Sequence, residues 1–256
     1  MSLFSRDFCS GPGIPPDAPR ATGLKRIWEM ISRDYMAFWM AGMLNLLLAA
    51  PFAFGIGYAY ATRSILFALL AGSLGGILAA PGFYGLADTL LRSLRDEPGF
   101  WWHRYSRALR KNWKGTLLPG ALMGTVFSIQ LFTLMNMQLL NGGLGLLLCQ
   151  IVSMLVSMGI FLWGLPQQVL LELKLTALVK NSLLLYFRFL PKTLKASTIM
   201  LLFVLVVWIM LPSSVFLLLV VGLWLPLLCA FQIIYPQLDD VFDIEESIRQ
   251  KSKTCH

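Results

Sequence analysis

Asp88 is the carboxylate that comes closest to lying inside a long apolar stretch, and Arg92 follows it by four residues. Two chemistries fit an acid so placed: a proton-relay or transport group, since charge buried in a membrane is costly and usually functional, or an ordinary i, i+4 ion pair at a helix end. The spacing to Arg92 favours the pair. The other intramembrane polar candidates are Asn45, Gln130 and Gln150, with Gln232 in the last apolar stretch. Such amides serve either as interhelical hydrogen bonds or as the lining of a polar path, and helix packing is the commoner use.

Catalysis needs a fuller constellation. Residues 71–76, AGSLGG, superficially resemble the serine loop of rhomboid proteases, yet a nucleophilic serine requires a histidine base within hydrogen-bond reach. The two histidines are His103, in a basic loop, and His256, the last residue. Glu245, Glu246 and Arg249 resemble the paired-glutamate motif of membrane prenyl-endopeptidases, but the spacing is off by one and they fall in the tail. Two histidines and four scattered cysteines match no zinc pattern. Cys9 and Cys255 fall in tails expected in a reducing compartment, and Cys149 and Cys229 at different membrane depths, so free thiols are expected. No catalytic, cofactor or metal site is assigned, and a non-enzymatic protein is expected.

The elements that hold these residues follow from composition: 57% of the 256 residues are hydrophobic and 13% charged, which no ordinary soluble domain shows. Six apolar stretches near residues 36–60, 65–91, 117–136, 144–166, 196–211 and 214–235 predict an all-α polytopic membrane bundle, because lipid offers the backbone no hydrogen-bond partner. They are expected to form three hairpins. Residues 198–235 would overshoot a hydrocarbon core of about 30 Å as one helix, so a turn is placed at Pro212-Ser213-Ser214. The expected organisation is an N-terminal segment over 1–34, a six-span domain over 35–235 and a tail over 236–256. Ala59-Tyr60-Ala61 resembles a cleavage site, but some 34 polar residues precede the first span, which is expected to remain as a signal anchor.

Orientation follows from the basic residues. Of 21 Lys and Arg, 20 fall before residue 34, within 92–115, within 172–195 or in the C-terminal tail, leaving Arg63 for the other side. Positive loops stay inside, so both termini are expected in the cytoplasm of a multi-pass plasma-membrane protein. Because the +8 net charge flanks spans instead of forming a recognition stripe, nucleic acid is excluded as a partner and anionic lipid headgroups are expected.

Three segments flanking the spans suit the membrane interface. Residues 24–34 place Leu24, Ile27, Trp28 and Ile31 on one face, which suits a helix lying on the membrane surface. Residues 99–114 repeat Trp101, Tyr105, Ala108, Leu109 and Trp113 at helical spacing while Arg104, Arg107, Arg110, Lys111 and Lys114 head for water or phosphate. That pattern fits an interfacial anchor or a docking surface for a cytoplasmic partner. Residues 167–190, bounded by Pro166 and Pro191, are too apolar for a free linker and are expected in the interface. Small residues four apart, Ala53 with Gly57, Gly72 with Gly76 and Gly120 with Gly124, predict close helix approaches.

Residues 11–20, GPGIPPDAPR, with LNLLL at 44–48, the run PGFYGLADTLLRSLRDEPGFWWHRYSRALRKNWK at 81–114, and residues 160–195 with Lys180, Asn181 and Pro191-Lys192 together resemble the bacterial YesL-like family of membrane proteins, a domain of unknown function. The likeness covers nearly the whole chain, and its short motifs encode no chemistry. It implies an accessory or regulatory membrane protein linked to carbohydrate uptake, with a transporter subunit or cytoplasmic regulator as partner. The competing class is a small-solute transporter, for which Pro51, Pro81, Pro119 and Pro226 would supply helix breaks.

Overall fold

The computed structural model describes residues 21–97, 100–138, 143–171 and 173–246, and every regular element among them is helical. In chain order these are α1 (Gly23–Ala61), α2 (Ile65–Leu94), α3 (Trp101–Met135), α4 (Leu144–Leu171), α5 (Leu175–Arg188), α6 (Leu190–Ile209), α7 (Ser214–Val220) and α8 (Trp224–Phe242). Five helices are long and apolar enough to cross a membrane, and α7 with α8 makes a sixth if that bent pair counts as one span. Leu47, Phe54, Leu74, Val152, Leu202 and Phe216 point outward, an apolar surface that suits lipid and not water. The chain is a membrane-embedded helical protein.

Helices overrun the apolar stretches at the end where the charges cluster. The segment at 24–34 is the first part of α1, not a separate surface helix, and a non-helical Asp34 (φ −116°, ψ 15°) marks the joint. Its apolar stripe divides: Leu24 and Trp28 are exposed while Ile27 and Ile31 pack on the core beside buried Met30. In the same way residues 101–114 of the next basic segment are continuous with the third span as a single 35-residue helix. Pro166 lies inside α4, which continues to Leu171. The 167–190 segment holds α5, whose Leu178, Leu185 and Tyr186 turn inward while Leu184 and Phe187 are exposed.

The turn expected at Pro212 is present between α6 and α7, with the Ser214 hydroxyl donating to the Val207 carbonyl at 2.7 Å. The stretch after it differs from expectation. Its apolar run breaks at residues 221–223, and α7 and α8 meet at 59°. Two residues cause the break: Gly222 takes φ +59°, which L side chains rarely adopt, and Pro226 has no N–H to give the Gly222 carbonyl. Trp39 compensates by donating its indole N–H to the Leu219 carbonyl at 3.0 Å. Pro51, Pro81 and Pro119, expected as possible breaks, lie within continuous helices.

Close backbone approach sets the α2–α3 contact. A Cβ on Gly76 or Gly124 would overlap backbone of the facing helix, and one on Gly72 would lie 2.8 Å from the Thr125 Cα. The Ser128 hydroxyl donates to the Ala68 carbonyl across the same seam. The pair Ala53 and Gly57 does not work this way. Both are exposed and nothing lies within 4 Å of a Cβ on Gly57, whereas α1 meets α2 through Gly75, where a Cβ would fall 2.7 Å from the Phe52 Cα.

The amides are spent on packing. Gln130 donates to the Ser153 and Ser157 hydroxyls, each at 2.7 Å, and Gln150 donates to the Gln130 carbonyl at 2.8 Å, which joins α3 to α4. Asn45 is fully buried against Gly82, with neither amide atom hydrogen-bonded.

Long-range hydrogen bonds gather the basic segments at one end of the bundle. Arg26 of α1 reaches the Leu94 carbonyl at the end of α2, Gln168 of α4 reaches the Gly115 carbonyl of α3, and Gln232 of α8 reaches the Gly23 carbonyl. Replacing Gly76 by Val should lower stability in detergent by about 1–3 kcal/mol, the usual cost of overpacking. Gly57→Ala should leave it unchanged or slightly raised. Thermal unfolding of both variants checks this, and equal effects would refute the assigned seam.

Candidate functional site

Three helix ends converge where α1 begins, α2 stops and α3 starts, and charged side chains bind them together. Residues 95–97 follow the last turn of α2, and Asp96 adopts a left-handed backbone (φ 57°) that turns its carboxylate back toward α1. There it accepts from Arg26 at 2.7 Å and from Arg33 at 2.5 Å. Arg33 also bonds Asp34 and the Ser93 carbonyl, and Ser93 donates to Asp34 at 2.5 Å. Burial alone would raise the Asp96 carboxyl, yet the hydrogen bonds from Arg26 and Arg33 outweigh it and hold the group below the ordinary carboxylate range.

A second cluster lies one turn away on α2. Asp88 and Arg92 form the i, i+4 pair expected from their spacing, at 2.8 Å, with Asp88 almost fully buried. Arg92 also reaches Glu97 at 2.8 Å, and Glu97 takes a further bond from Arg95 at 2.7 Å. Arg104 of α3 stands 3.8 Å from the same Glu97. Burial would raise the Glu97 carboxyl, but Arg95 and then Arg92 and Arg104 pull it down. The Arg104 guanidinium is shifted the other way: burial and the neighbouring Arg92 both disfavour its charge, more than Glu97 and Asp88 support it.

The two clusters differ in balance. Arg26 and Arg33 meet Asp34 and Asp96, with Glu29 at 4.0 Å from Arg26. Around Asp88, three guanidinium groups, Arg92, Arg95 and Arg104, share the two described carboxylates Asp88 and Glu97, and a fourth, Arg107, stands beside them. Arg107 lies outside these ion pairs and approaches the His103 ring at 2.7 Å.

This second cluster faces a cavity of about 300 Å³ lined by Tyr84, Asp88, Arg92, Arg104, Arg107, Ala108 and Val169. A smaller one of about 50 Å³ shares Asp88, Arg92 and Arg104 with it and has Asp34, Glu97, Trp101 and Tyr105 in its wall. Trp101 and Tyr105 bring a buried indole N–H and a buried hydroxyl with no hydrogen-bond partner, and burial pushes the Tyr105 phenol up to about 12. Neither cavity is lined by Asn45, Gln130 or Gln150.

The interfacial residues expected from sequence therefore separate into three sets. Tyr105 lies under Gly85 of α2, and Trp101 packs against it at a tilt with ring centroids 5.2 Å apart, so both belong to the bundle and not to a membrane-facing stripe. Arg104 and Arg107 line the cavity. Arg110, Trp113 and Lys114 point outward, Lys114 over the Trp113 ring at 5.8 Å. The Lys111 side chain lies outside the described residues. Sequence reasoning missed Arg26, Arg33, Asp34, Arg95, Asp96 and Glu97 as a site. The available signal was the density of charge in Arg33-Asp34 and in residues 92–97 at the ends of apolar stretches.

No group of three or more metal-ligating side chains lies together among the described residues. The chain matches no family model, no curated protein and no solved structure.

The depressed Asp96 and Glu97 carboxyls set a pH dependence. Their bonds contribute fully above the ordinary carboxylate pKa of about 4 and are lost as pH falls through the lower folded values. Stability in detergent should be level from pH 7 to about 5 and fall below about 4, and Asp96→Asn should remove part of that fall. Thermal unfolding across pH measures it; an Asp96→Asn profile superimposable on the parent would contradict the clamp.

Proposed function

We propose that this protein is a non-enzymatic accessory or regulatory component of the plasma membrane whose basic end faces the cytoplasm and holds an anionic or acidic partner. One observation carries the reading. The charged residues at that end lock α1, α2 and α3 into a rigid platform, while Arg107, Arg110 and Lys114 stay on its surface outside the ion pairs described. A surface of uncommitted cations on helices already held in place suits docking, because the backbone that carries the charge needs no ordering when a partner arrives.

The orientation belongs to the same proposal, with both termini inside and the apolar helices crossing as six spans, the bent α7–α8 pair included. It rests on the gathering of the basic segments at one end, where the positive-inside rule puts the cytoplasm. The resemblance to the YesL-like family supplies the partner class, a carbohydrate importer subunit or its cytoplasmic regulator. Anionic lipid is the second partner of that face.

The transporter reading is favoured by a different feature, the broken α7–α8 segment, since discontinuous helices build midplane sites in transporters. Against it, Gln130 and Gln150 are engaged in holding α3 to α4.

A reporter active only outside the cytoplasm, fused after His256, should stay silent, and activity there would sink the orientation. Purified from its native membrane in mild detergent, the protein should carry a companion in amounts near its own. Arg110→Glu with Lys114→Glu should release that companion without changing the elution volume of the bundle. A protein that emerges alone and supports solute flux in vesicles would replace the accessory reading with the transporter.

A further inference from the structure

The cavity beside Asp88 has a composition that the docking face does not require. Its charged walls come from α2 and α3, and α4 closes it with Val169. Among the described residues the nearest carboxylate to Arg104 is Glu97, in a long ion pair at 3.8 Å, and Glu97 is already engaged by Arg92 and Arg95 at 2.8 and 2.7 Å. Arg107 brings a further guanidinium to the rim. Among the described side chains of this cluster four positive charges meet two negative ones, an excess of two. Charges gathered in a partly enclosed space repel one another unless an anion enters.

We propose that this cavity binds a phosphate monoester group, with Arg104 and Arg107 as its principal ligands and Arg92, held by Asp88, as a fixed third. A phosphate monoester carries a charge of about −1.5 to −2 at neutral pH and three acceptor oxygens, which matches both the excess charge and the planar donors of arginine. A carboxylate would bring half the charge. The arrangement also gives an acid in an apolar helix a role: Asp88 fixes the Arg92 guanidinium at the cavity wall and limits the repulsion among the arginines. Trp102 and Trp113 are exposed on α3, the helix of Arg104 and Arg107, and tryptophan is enriched at the membrane interface, the depth at which a lipid phosphate sits. The phosphate therefore comes either from a lipid headgroup or from a soluble phosphate ester.

The full-length protein in mild detergent, titrated with phosphatidic acid, with phosphatidylcholine and with glycerol 3-phosphate, separates these sources; binding is read by native mass spectrometry and by the rise in melting temperature. Phosphatidic acid should bind at least about tenfold more tightly than phosphatidylcholine, the scale of one charge-assisted hydrogen bond. Arg104→Gln should weaken it by about tenfold or more, whereas Lys25→Gln, an exposed cation at the same end, should not. Ala108→Leu keeps every charge and fills the cavity, so it should also weaken binding. Competition by glycerol 3-phosphate assigns a soluble ligand, and its failure to compete assigns the lipid headgroup.

The proposal is overturned if phosphatidic acid and glycerol 3-phosphate both fail to bind. It is equally overturned if Arg104→Gln and Ala108→Leu bind as the parent does, or if phosphatidylcholine binds as well as phosphatidic acid. Should Arg104→Gln not fold, Arg107→Gln, altered at an exposed side chain, puts the same question. None of these outcomes depends on the companion released by Arg110→Glu with Lys114→Glu, so the site and the docking reading stand or fall separately.

Discussion

The backbone contact between α2 and α3 is the constraint on which the rest of the structure depends. Gly72 and Gly76 face Gly120 and Gly124 so closely that no side chain fits between the helices. Without a hydrophobic drive between helices in lipid, contacts of this kind supply the dispersion energy that holds a bundle together. Further along the same two helices, at the basic end, the close approach continues as Gly85 on the Tyr105 ring. It is this that brings Arg104 beside the Asp88–Arg92 pair.

The charged clamp at the helix ends acts on top of that seam. Arg26 and Arg33 come from α1 and Asp96 from just beyond α2, so their bonds fix the first turns of α1 to the far end of the next helix. Ion pairs half shielded from water contribute more than exposed ones because screening is weaker there. Bound to several partners at once, each carboxylate also restrains several side chains for one desolvation. The clamp thereby turns three helix ends into one surface on which Arg104, Arg107, Arg110 and Lys114 are displayed.

Polar groups in the apolar region follow a different logic. Gln130, Gln150, Ser153 and Ser157 satisfy one another between α3 and α4, where an unpaired amide would be costly. At the opposite side Gly222 breaks the last apolar run, and Trp39 takes up the Leu219 carbonyl near the break. Trp224, just past the break, fills the space over Gly42 and packs on Phe38. α1 thus serves the clamp at its start and the broken helix further on.

Much of this architecture was legible in the residues alone. Composition and the length of the apolar stretches determine an all-helical membrane-embedded chain, because a backbone in lipid has no other way to satisfy its hydrogen bonds. The Asp88–Arg92 pair could be read from i, i+4 spacing, and the Gly72–Gly76 and Gly120–Gly124 contact from small residues four apart, since both are local patterns on one helix. What the sequence could not decide was which patterns would meet. Ala53 and Gly57 show the same spacing as the packed pairs yet face outward, and the aromatic stripe of 99–114 divides between the core and the surface. The clamp joins residues more than sixty positions apart, and the excess charge in the cavity exists only because α2 delivers Arg92 and α3 delivers Arg104 to one place. Local periodicity fixes the face of a helix on which a residue lies; only packing decides what that face meets.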